Sequence, residues 1–263
     1  MALDTATVSD GVPLTLDELG SGRAIVVIHG GGGPRTMGPL VTHLAGQHHV
    51  LAPTLPGWDG TPRPDALRSV GQLADTLTQW LADTDLNEIV VVGSSLGGWV
   101  AAELAIRDRG IGRIAGVAIL DGVGAEIPSH PMRDFFSLDP RGIAEYSWHD
   151  PQRGFLDPAT LTDAQRQAIA ANMSTLRLVA GERMLDPTLL GRISDVTIPT
   201  LVLWGAADRI VAPEYGRAYA AAFANAQFKV IEQAGHLPHL EQPEATLATL
   251  DEWLGELNRR PAP

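Results

Sequence analysis

Short apolar runs alternate with helix-length segments along most of this chain. The runs lie at 24–28, 88–92, 114–120, 200–204 and 227–231, with a weaker one at 50–52. Apolar runs without polar alternation are typical of strands that helices cover on both faces. The segments at 65–84, 96–109, 213–224 and 243–259 have helical length, and the first carries apolar residues three or four positions apart. This order predicts an α/β fold with a parallel sheet between two helical layers, preceded by a β-hairpin over 7–20 that turns at 9–11.

One long segment, 122–196, interrupts this alternation. It has no convincing strand run, but it holds six prolines and a helical stretch at 164–180. We therefore predict one domain whose core comprises 1–121 and 197–263, with 122–196 inserted as a helical lid. Its aromatic residues favour an apolar underside that forms the substrate pocket, although a helical elaboration with its own small core fits the pattern as well.

Composition and charge exclude several classes of protein. Lys and Arg total 19 against 31 Asp and Glu, a net charge of −12, so a nucleic-acid partner is not expected. The absence of cysteine excludes disulfides, thiolate nucleophiles and cysteine zinc sites, and no histidine pair has a metal-binding spacing, so we predict no metal. We find neither a signal peptide nor an apolar run long enough to span a membrane. We expect a soluble cytoplasmic protein, a monomer or homodimer, that acts on a small molecule.

The strongest chemical signal is the segment Gly93-Ser94-Ser95-Leu96-Gly97-Gly98, which follows a predicted strand and begins a predicted helix. A Gly-x-Ser-x-Gly sequence between strand and helix forms a sharp, strained turn that presents the central hydroxyl at the sheet edge. The flanking glycines let neighbouring backbone approach without a Cβ clash. The pattern predicts Ser95 as a nucleophile and Ser94 as a packing or supporting hydroxyl.

A serine nucleophile needs a base, and the base needs an acid that orients it. His236 follows the last predicted strand, and Asp208 follows the strand before it. The carboxyl ends of parallel strands meet at one edge of a sheet, so these side chains can converge on Ser95 in the order Ser, Asp, His. Asp121, at the end of the 114–120 run, is the best competing acid.

A glycine-rich loop, 29–33, follows the first parallel strand. It fits neither the dinucleotide fingerprint, because Arg35 and Thr36 stand where a glycine is needed, nor the Walker pattern, because it lacks lysine. We therefore interpret it as an oxyanion loop and predict the N–H groups of Gly31 and Leu96 as the two donors, with Gly32 as the alternative to Gly31. His29, at the strand end, is expected to be structural.

Together these segments resemble the α/β-hydrolase superfamily over residues 24–254, least specifically in the inserted segment. The resemblance implies a mostly parallel eight-stranded sheet with helices on both faces, a helical lid after strand six, and no cofactor. The turn at Leu55-Pro56-Gly57-Trp58 is similar to a family turn, although Trp58-Asp59 stands where the family usually has His-Gly. Candidate substrate-binding residues are the following aromatic side chains: Trp58, Phe135, Phe136, Tyr146 and Trp148.

The type of nucleophile narrows the reaction. Haloalkane dehalogenases and epoxide hydrolases of this superfamily use an aspartate at the elbow, so Ser95 argues against both. A serine indicates acyl transfer, and the residues around His236 are similar to enol-lactonases and small esterases. Carbon–carbon bond hydrolases share the His-Gly-Gly-Gly loop but usually carry Trp after the histidine, where this chain has Leu237. Ester or lactone hydrolysis is the prediction; carbon–carbon hydrolysis, cofactor-free perhydrolysis and a non-catalytic small-molecule receptor remain alternatives.

Two further expectations concern helix faces. Trp80 and Trp99 are predicted to pack in the core. Glu103 and Arg107 are four residues apart on a predicted helix, a spacing typical of a solvated ion pair worth a few tenths of a kcal/mol.

Overall fold

The computed structural model describes residues 4–7 and 12–259, and the predicted hairpin turn at 9–11 lies outside them. Its main sheet has eight strands: β1 Asp4–Thr7, β2 Pro13–Leu19, β3 Ala24–Ile28, β4 His49–Thr54, β5 Ile89–Ser94, β6 Ile114–Leu120, β9 Thr200–Gly205 and β10 Ala226–Ile231. Two short strands, β7 Gly124–Ala125 and β8 Leu185–Asp186, pair with each other separately.

The α-helices of the described residues are α1 Gly38–Leu44, α2 Val70–Ala82, α3 Leu96–Arg107, α4 Pro140–Ser147, α5 Pro151–Gly154, α6 Asp163–Ala180, α7 Leu189–Ile193, α8 Pro213–Ala221, α9 Pro238–Glu241 and α10 Pro243–Arg259. Short 3₁₀ turns occur at Pro34–Met37 and Phe135–Ser137. The predicted helix at 65–84 begins later, at Val70, because the Ser69 hydroxyl accepts the N–H of Gln72 and caps the helix there. None of these helices is long and apolar enough to cross a membrane.

The strand order of the main sheet is β1-β2-β4-β3-β5-β6-β9-β10. Strand β2 runs antiparallel to β1 and β4, and the remaining neighbours are parallel. The chain proceeds outward from β3 to β4 and then returns to place β5 on the other side of β3. A crevice forms at such a switch point, beyond the carboxyl ends of the strands. The glycine-rich loop after β3 and the serine motif after β5 therefore flank this crevice.

Both faces of the sheet are buried, as the unbroken apolar runs predict. Val26 and Ile28 of β3 pack in one core cluster with α2, α3 and α8, and this cluster includes Trp80 and Trp99. Ile25 and Val27, the alternate residues of the same strand, pack in a second cluster with α1 and α10. A strand whose successive side chains enter two cores must be apolar throughout.

The inserted segment 122–196 contributes no strand to the main sheet; it contains β7, β8 and helices α4 to α7. The short β7–β8 pair was not predicted, because two residues are too few to give a sequence pattern. The segment meets the core on both sides of the switch-point crevice. Ser147 and Trp148 lie against Gly235, and Leu176 of α6 lies against Gly31.

The expectation of a solvated Glu103 on α3 is wrong. Glu103 is only 2% exposed, because Arg192 of the inserted segment covers it with hydrogen bonds of 2.6 and 2.8 Å. Arg107 also donates to Glu103, and Asp186 accepts from Arg192 at 2.6 Å. Burial tends to raise the pKa of Glu103, but the two guanidinium groups outweigh it and hold that pKa below its usual value. The helix spacing could not reveal Arg192, which is 89 residues away in sequence.

Candidate active site

Ser95 occupies a strained turn between β5 and α3. Its φ of 54° and ψ of −116° lie outside the regions that L-residues favour. The turn is possible because a Cβ at Gly93 would lie 2.1 Å from the carbonyl oxygen of Gly97, and a Cβ at Gly97 would lie 2.2 Å from that of Ile28. Both positions therefore require glycine. The turn leaves Ser95 half-buried at the carboxyl edge of the sheet.

Ser95, His236 and Asp208 form a continuous chain of hydrogen bonds. The Oγ of Ser95 lies 2.9 Å from Nε2 of His236, and Nδ1 of His236 lies 2.7 Å from Oδ2 of Asp208. Asp208 is 2% exposed and His236 is 7% exposed. The structure thus brings together the three residues predicted from separate strand ends.

The environment of Asp208 determines which nitrogen of His236 carries the proton. Its Oδ1 accepts the backbone N–H groups of Ile210 and Val211 at 2.8 and 3.1 Å, which leaves Oδ2 as the acceptor for His236. An acceptor at Nδ1 requires that nitrogen to carry the proton, so Nε2 is free to accept the Ser95 O–H. This is the tautomer that a general base for Ser95 needs.

Asp121, the competing acid, lies beside this chain but does not orient His236. It is fully buried at the end of β6, and its Oδ1 accepts the N–H of Gly205 at 2.9 Å. Asp121, Asp208 and His236 each place one polar atom within 4.8 Å of the others. Burial, and after it the charge of Asp208, raise the pKa of Asp121 well above its usual value.

The side chains of His29 and Trp58 donate hydrogen bonds to carbonyl oxygens of the glycine-rich loop. Nδ1–H of His29 donates to the carbonyl oxygen of Gly30 at 2.7 Å, and Nε2 accepts the N–H of Leu55 at 3.0 Å. The Trp58 indole N–H donates to the carbonyl oxygen of Gly31 at 3.0 Å. Burial lowers the pKa of His29 to about 4, so the ring is neutral and can fill both roles at neutral pH.

These bonds fix the direction of the loop's N–H groups. In a trans peptide the N–H points opposite to the carbonyl of the preceding residue. Since the carbonyls of Gly30 and Gly31 point to His29 and Trp58, the N–H groups of Gly31 and Gly32 point away from those rings. A Cβ at Gly30 would lie 3.1 Å from Cβ of Ser95, so the loop passes directly beside the serine. As the first residue of α3, Leu96 has no carbonyl within the helix to accept its N–H.

The five aromatic residues predicted to bind substrate do not lie together around one pocket. Trp58 is corrected to a support of the glycine loop, because it is fully buried beneath that loop. Phe135 and Phe136 pack edge-to-face at 5.6 Å, and Phe135 lines a cavity of about 430 Å³ whose walls contain none of Ser95, Asp208 and His236. The aromatic composition gave no means of separating such packing from a substrate pocket.

Tyr146 and Trp148, in contrast, lie in the part of the inserted segment that contacts the His236 and Asp208 loops. The carbonyl oxygen of Tyr146 accepts the N–H of Arg209 at 3.0 Å. A Cβ at Gly235 would lie 2.8 Å from Cα of Trp148. Both side chains are half-buried.

Sequence reasoning missed the role of Glu241. This carboxylate is 4% exposed and accepts three backbone N–H groups, from Gly235 at 2.6 Å, His149 at 2.9 Å and Asp150 at 3.1 Å. It therefore joins the loop that carries His236 to the inserted segment. A glutamate five residues after the histidine was visible in the sequence, but its partners in the inserted segment were not.

Comparison with known proteins agrees with this architecture. The family model described as "Alpha/beta hydrolase family" matches residues 25–249, and the chain belongs to that family. It is 27% identical to a 2-hydroxy-6-oxononadienedioate/2-hydroxy-6-oxononatrienedioate hydrolase of Cupriavidus pinatubonensis, over 95% of this chain and 94% of the relative. It is 29% identical to the pimeloyl-[acyl-carrier protein] methyl ester esterase of Aromatoleum aromaticum, over 84% of this chain and 93% of the relative. A thermophilic esterase from Thermogutta terrifontis superposes with a TM-score of 0.76 at 25% identity, over 98% of this chain and 99% of the esterase.

Proposed function

We propose that this protein is a serine hydrolase that cleaves a carboxylic ester or lactone of a small, mainly apolar substrate through an acyl-enzyme. The observation that carries the proposal is the chain of hydrogen bonds from Ser95 through His236 to the buried Asp208. The esterases among its relatives support this reaction type.

In the first half-reaction, Ser95 Oγ attacks the carbonyl carbon while Nε2 of His236 takes the hydroxyl proton. Asp208 stabilises the imidazolium that forms. The carbonyl oxygen becomes an oxyanion, for which we propose the N–H groups of Gly31 and Leu96 as donors; one such donor typically contributes about 3–4 kcal/mol to transition-state stabilisation. The C–O bond to the alcohol then breaks, and His236 returns the proton to the leaving oxygen.

In the second half-reaction, water attacks the acyl carbon. His236 accepts one proton from that water, a second tetrahedral oxyanion forms, and its collapse breaks the bond to Oγ. His236 then protonates Oγ, which regenerates Ser95 and releases the carboxylic acid. With a lactone the alcohol remains attached to the acyl chain, so a single hydroxy acid is the product.

We further propose that the inserted segment 122–196 serves as the lid of this site. Leu176 of α6 lies over the glycine loop, where a Cβ on Gly31 would be 2.6 Å from its Cδ2. The backbone of Trp148 lies against Gly235, the residue before His236. The apolar side chain of Leu176 beside the glycine loop supports an apolar substrate.

Covalent labelling and a substrate panel test the proposal. A fluorophosphonate is expected to add one label, located by mass spectrometry on Ser95, and Ser95→Ala is expected to abolish both labelling and turnover. Ser94→Ala is the matched control, since Ser94 is an adjacent buried serine and should leave labelling intact. Steady hydrolysis of p-nitrophenyl esters and lactones of varied acyl length is expected. Absence of labelling at Ser95, or binding without product release, would contradict the proposal.

Carbon–carbon bond hydrolysis is a second candidate, favoured by the relative from Cupriavidus pinatubonensis that is named for such a substrate. Against it stands Leu237, in the position where the carbon–carbon hydrolases usually carry Trp. A 2-hydroxy-6-oxo-dienoate added to the substrate panel separates the two. Faster turnover of that compound than of any ester or lactone would favour the second candidate.

A further inference from the structure

A second carboxyl group, that of Asp121, is enclosed with the Asp208–His236 pair and has no part in the mechanism above. It is 0% exposed, and φ is 46° at this residue, a strained value for a non-glycine residue. Gly205 donates its N–H to Oδ1 of Asp121. Among the described residues, no N–H or O–H group is directed at the buried Oδ2.

The carboxyl group of Asp208 lies beside Asp121, with one oxygen of each within 4.8 Å. Two buried carboxylates whose oxygens lie within 4.8 Å of each other repel strongly, so we infer that this pair carries one proton at neutral pH. The numbers of donors decide which residue holds it. Asp208 receives three N–H groups, from Ile210, Val211 and His236, whereas Asp121 receives one. Hydrogen bonds from N–H groups stabilise the charged form, so the charge stays on Asp208 and the proton on Asp121.

We propose that Asp121 is a positioning residue that acts as a neutral carboxylic acid, donating its Oδ2 proton to the carboxylate of Asp208. As a carboxylate oxygen, Oδ2 of Asp121 would be buried with no group donating to it. Once protonated, Oδ2 becomes a donor and Asp208 accepts its proton, which removes the cost of a buried unsatisfied group. The bond holds Asp208 in place. It also keeps the carboxylate of Asp208 charged and facing the imidazolium that forms when His236 takes the proton from Ser95.

This inference rests on the proposed hydrolytic function for its kinetic consequences, but its central claim can be tested without substrate. The infrared spectrum at pH 7 is expected to contain the carbonyl stretch of a protonated carboxyl group. This band should vanish in Asp121→Asn and persist in Asp251→Asn, a control at a partly exposed carboxylate of α10. A native spectrum without the band, or a band that survives in Asp121→Asn, would overturn the proposal whether or not the protein hydrolyses esters.

Kinetics of two variants separate positioning from packing. An asparagine at this position can accept the N–H of Gly205 and donate to Asp208, so Asp121→Asn should retain kcat within about threefold. A leucine can form neither bond, so Asp121→Leu should lower kcat about tenfold or more with little change in KM. The charged or titratable groups that face Asp121 are Asp208, His236 and Glu241.

The pH profile of kcat/KM distinguishes the charge states. Its acidic limb reports the protonation of His236. In Asp121→Leu, the carboxylate of Asp208 loses this donor and presents its full charge to His236, so the limb should move to higher pH, while Asp121→Asn should leave it in place. If Asp121 were ionised in the native protein, Asp121→Asn would remove a negative charge beside His236 and move the limb to lower pH, which would overturn the proposal. If the Asp121→Leu variant does not fold, the Asp121→Asn variant and the infrared band still test whether Asp121 is protonated.

Discussion

The backbone N–H of His236 donates a hydrogen bond to the carbonyl oxygen of Ser147 over 2.6 Å. The residue proposed as the catalytic base is thus held by the segment inserted between β6 and β9. Gly235 makes this approach possible, because a Cβ there would lie 2.3 Å from the same carbonyl oxygen. Placement of the base therefore depends on the inserted segment as well as on the sheet.

Glu241→Gln should disturb this junction. An amide can accept through one oxygen only, and its NH₂ group would face an N–H of Gly235, His149 or Asp150. We expect a loss of about 1–3 kcal/mol in the free energy of unfolding and a fall in kcat of about tenfold. Urea unfolding and steady-state kinetics measure the two effects.

Glu244→Gln is the matched control, because Glu244 is exposed in the first turn of α10. It should change stability by a few tenths of a kcal/mol at most and leave kcat unchanged. Equal effects of the two substitutions would show that the three N–H bonds to Glu241 do not set the position of His236.

Asp208→Asn should lower kcat by hundreds to thousands of times with little change in KM. The asparagine can present an N–H to Nδ1 of His236, which favours the wrong tautomer and leaves the imidazolium without a counter-charge; in a serine protease this change costs about ten-thousandfold. Circular dichroism checks the fold beside the kinetics. A loss of this size in Asp121→Asn but not in Asp208→Asn would transfer the orienting role to Asp121.

Trp58→Phe should weaken the proposed oxyanion hole without touching the triad. Loss of the indole N–H frees the carbonyl of Gly31, so the Gly31–Gly32 peptide, which adjoins the peptide that carries the proposed donor N–H of Gly31, loses its fixed orientation. We expect kcat to fall about tenfold and KM to change little, measured with the best ester of the panel. Trp80→Phe is the control, since Trp80 is buried in the core on α2; it should cost stability but not kcat. Retention of full kcat in Trp58→Phe would exclude a role for that bond in catalysis.

Glu103→Gln should destabilise the fold in a pH-dependent way. Replacing the carboxylate leaves Arg192 and Arg107 without their shared buried counter-charge, at a cost of about 2–4 kcal/mol at pH 7. The pKa of Glu103 is lowered in the folded state, so its contribution is complete above the unfolded-state pKa of 4.5 and is lost as pH falls through the folded-state value. The difference in unfolding free energy between the native protein and Glu103→Gln should therefore be constant from pH 8 to pH 6 and narrow below about pH 4.5.

Urea unfolding at pH 7, 5 and 4 measures this difference. Glu214→Gln, at an exposed position in the first turn of α8, should show no such pH dependence. A stability difference for Glu103→Gln that stays the same down to pH 4 would mean that the charge of Glu103 is not what stabilises the junction of α3 with the inserted segment.

The sheet and the three strand-end residues could be predicted because their signals are local. Residues 24–28 are apolar throughout because alternate side chains enter two cores, and Gly93 and Gly97 flank Ser95 because backbone passes within reach of both. Each feature depends on a few neighbouring residues. The parallel topology then brings Asp208 and His236 to Ser95 without further information.

Contacts between distant segments could not be predicted in the same way. The sequence pattern predicts an exposed Glu103 because it does not show that Arg192 covers this residue. It also does not show that Glu241 binds the N–H groups of residues 149 and 150. Trp58 and Phe135 carried the same apolar aromatic signal, yet one supports the glycine loop and the other lines a separate cavity. Pairings across the inserted segment depend on tertiary placement, which periodicity and spacing do not encode.

The dense bonding between residues 145–150 and the triad loops has a consequence for engineering this scaffold. Ser147 receives the N–H of His236, and Glu241 binds the N–H groups of His149 and Asp150. A truncated chain without the inserted segment would lose the partners that hold its base, so it should be an impaired enzyme rather than a minimal one. Grafts that exchange substrate preference with a relative should keep 145–150 from the recipient and take α6, which carries Leu176 over the glycine loop, from the donor.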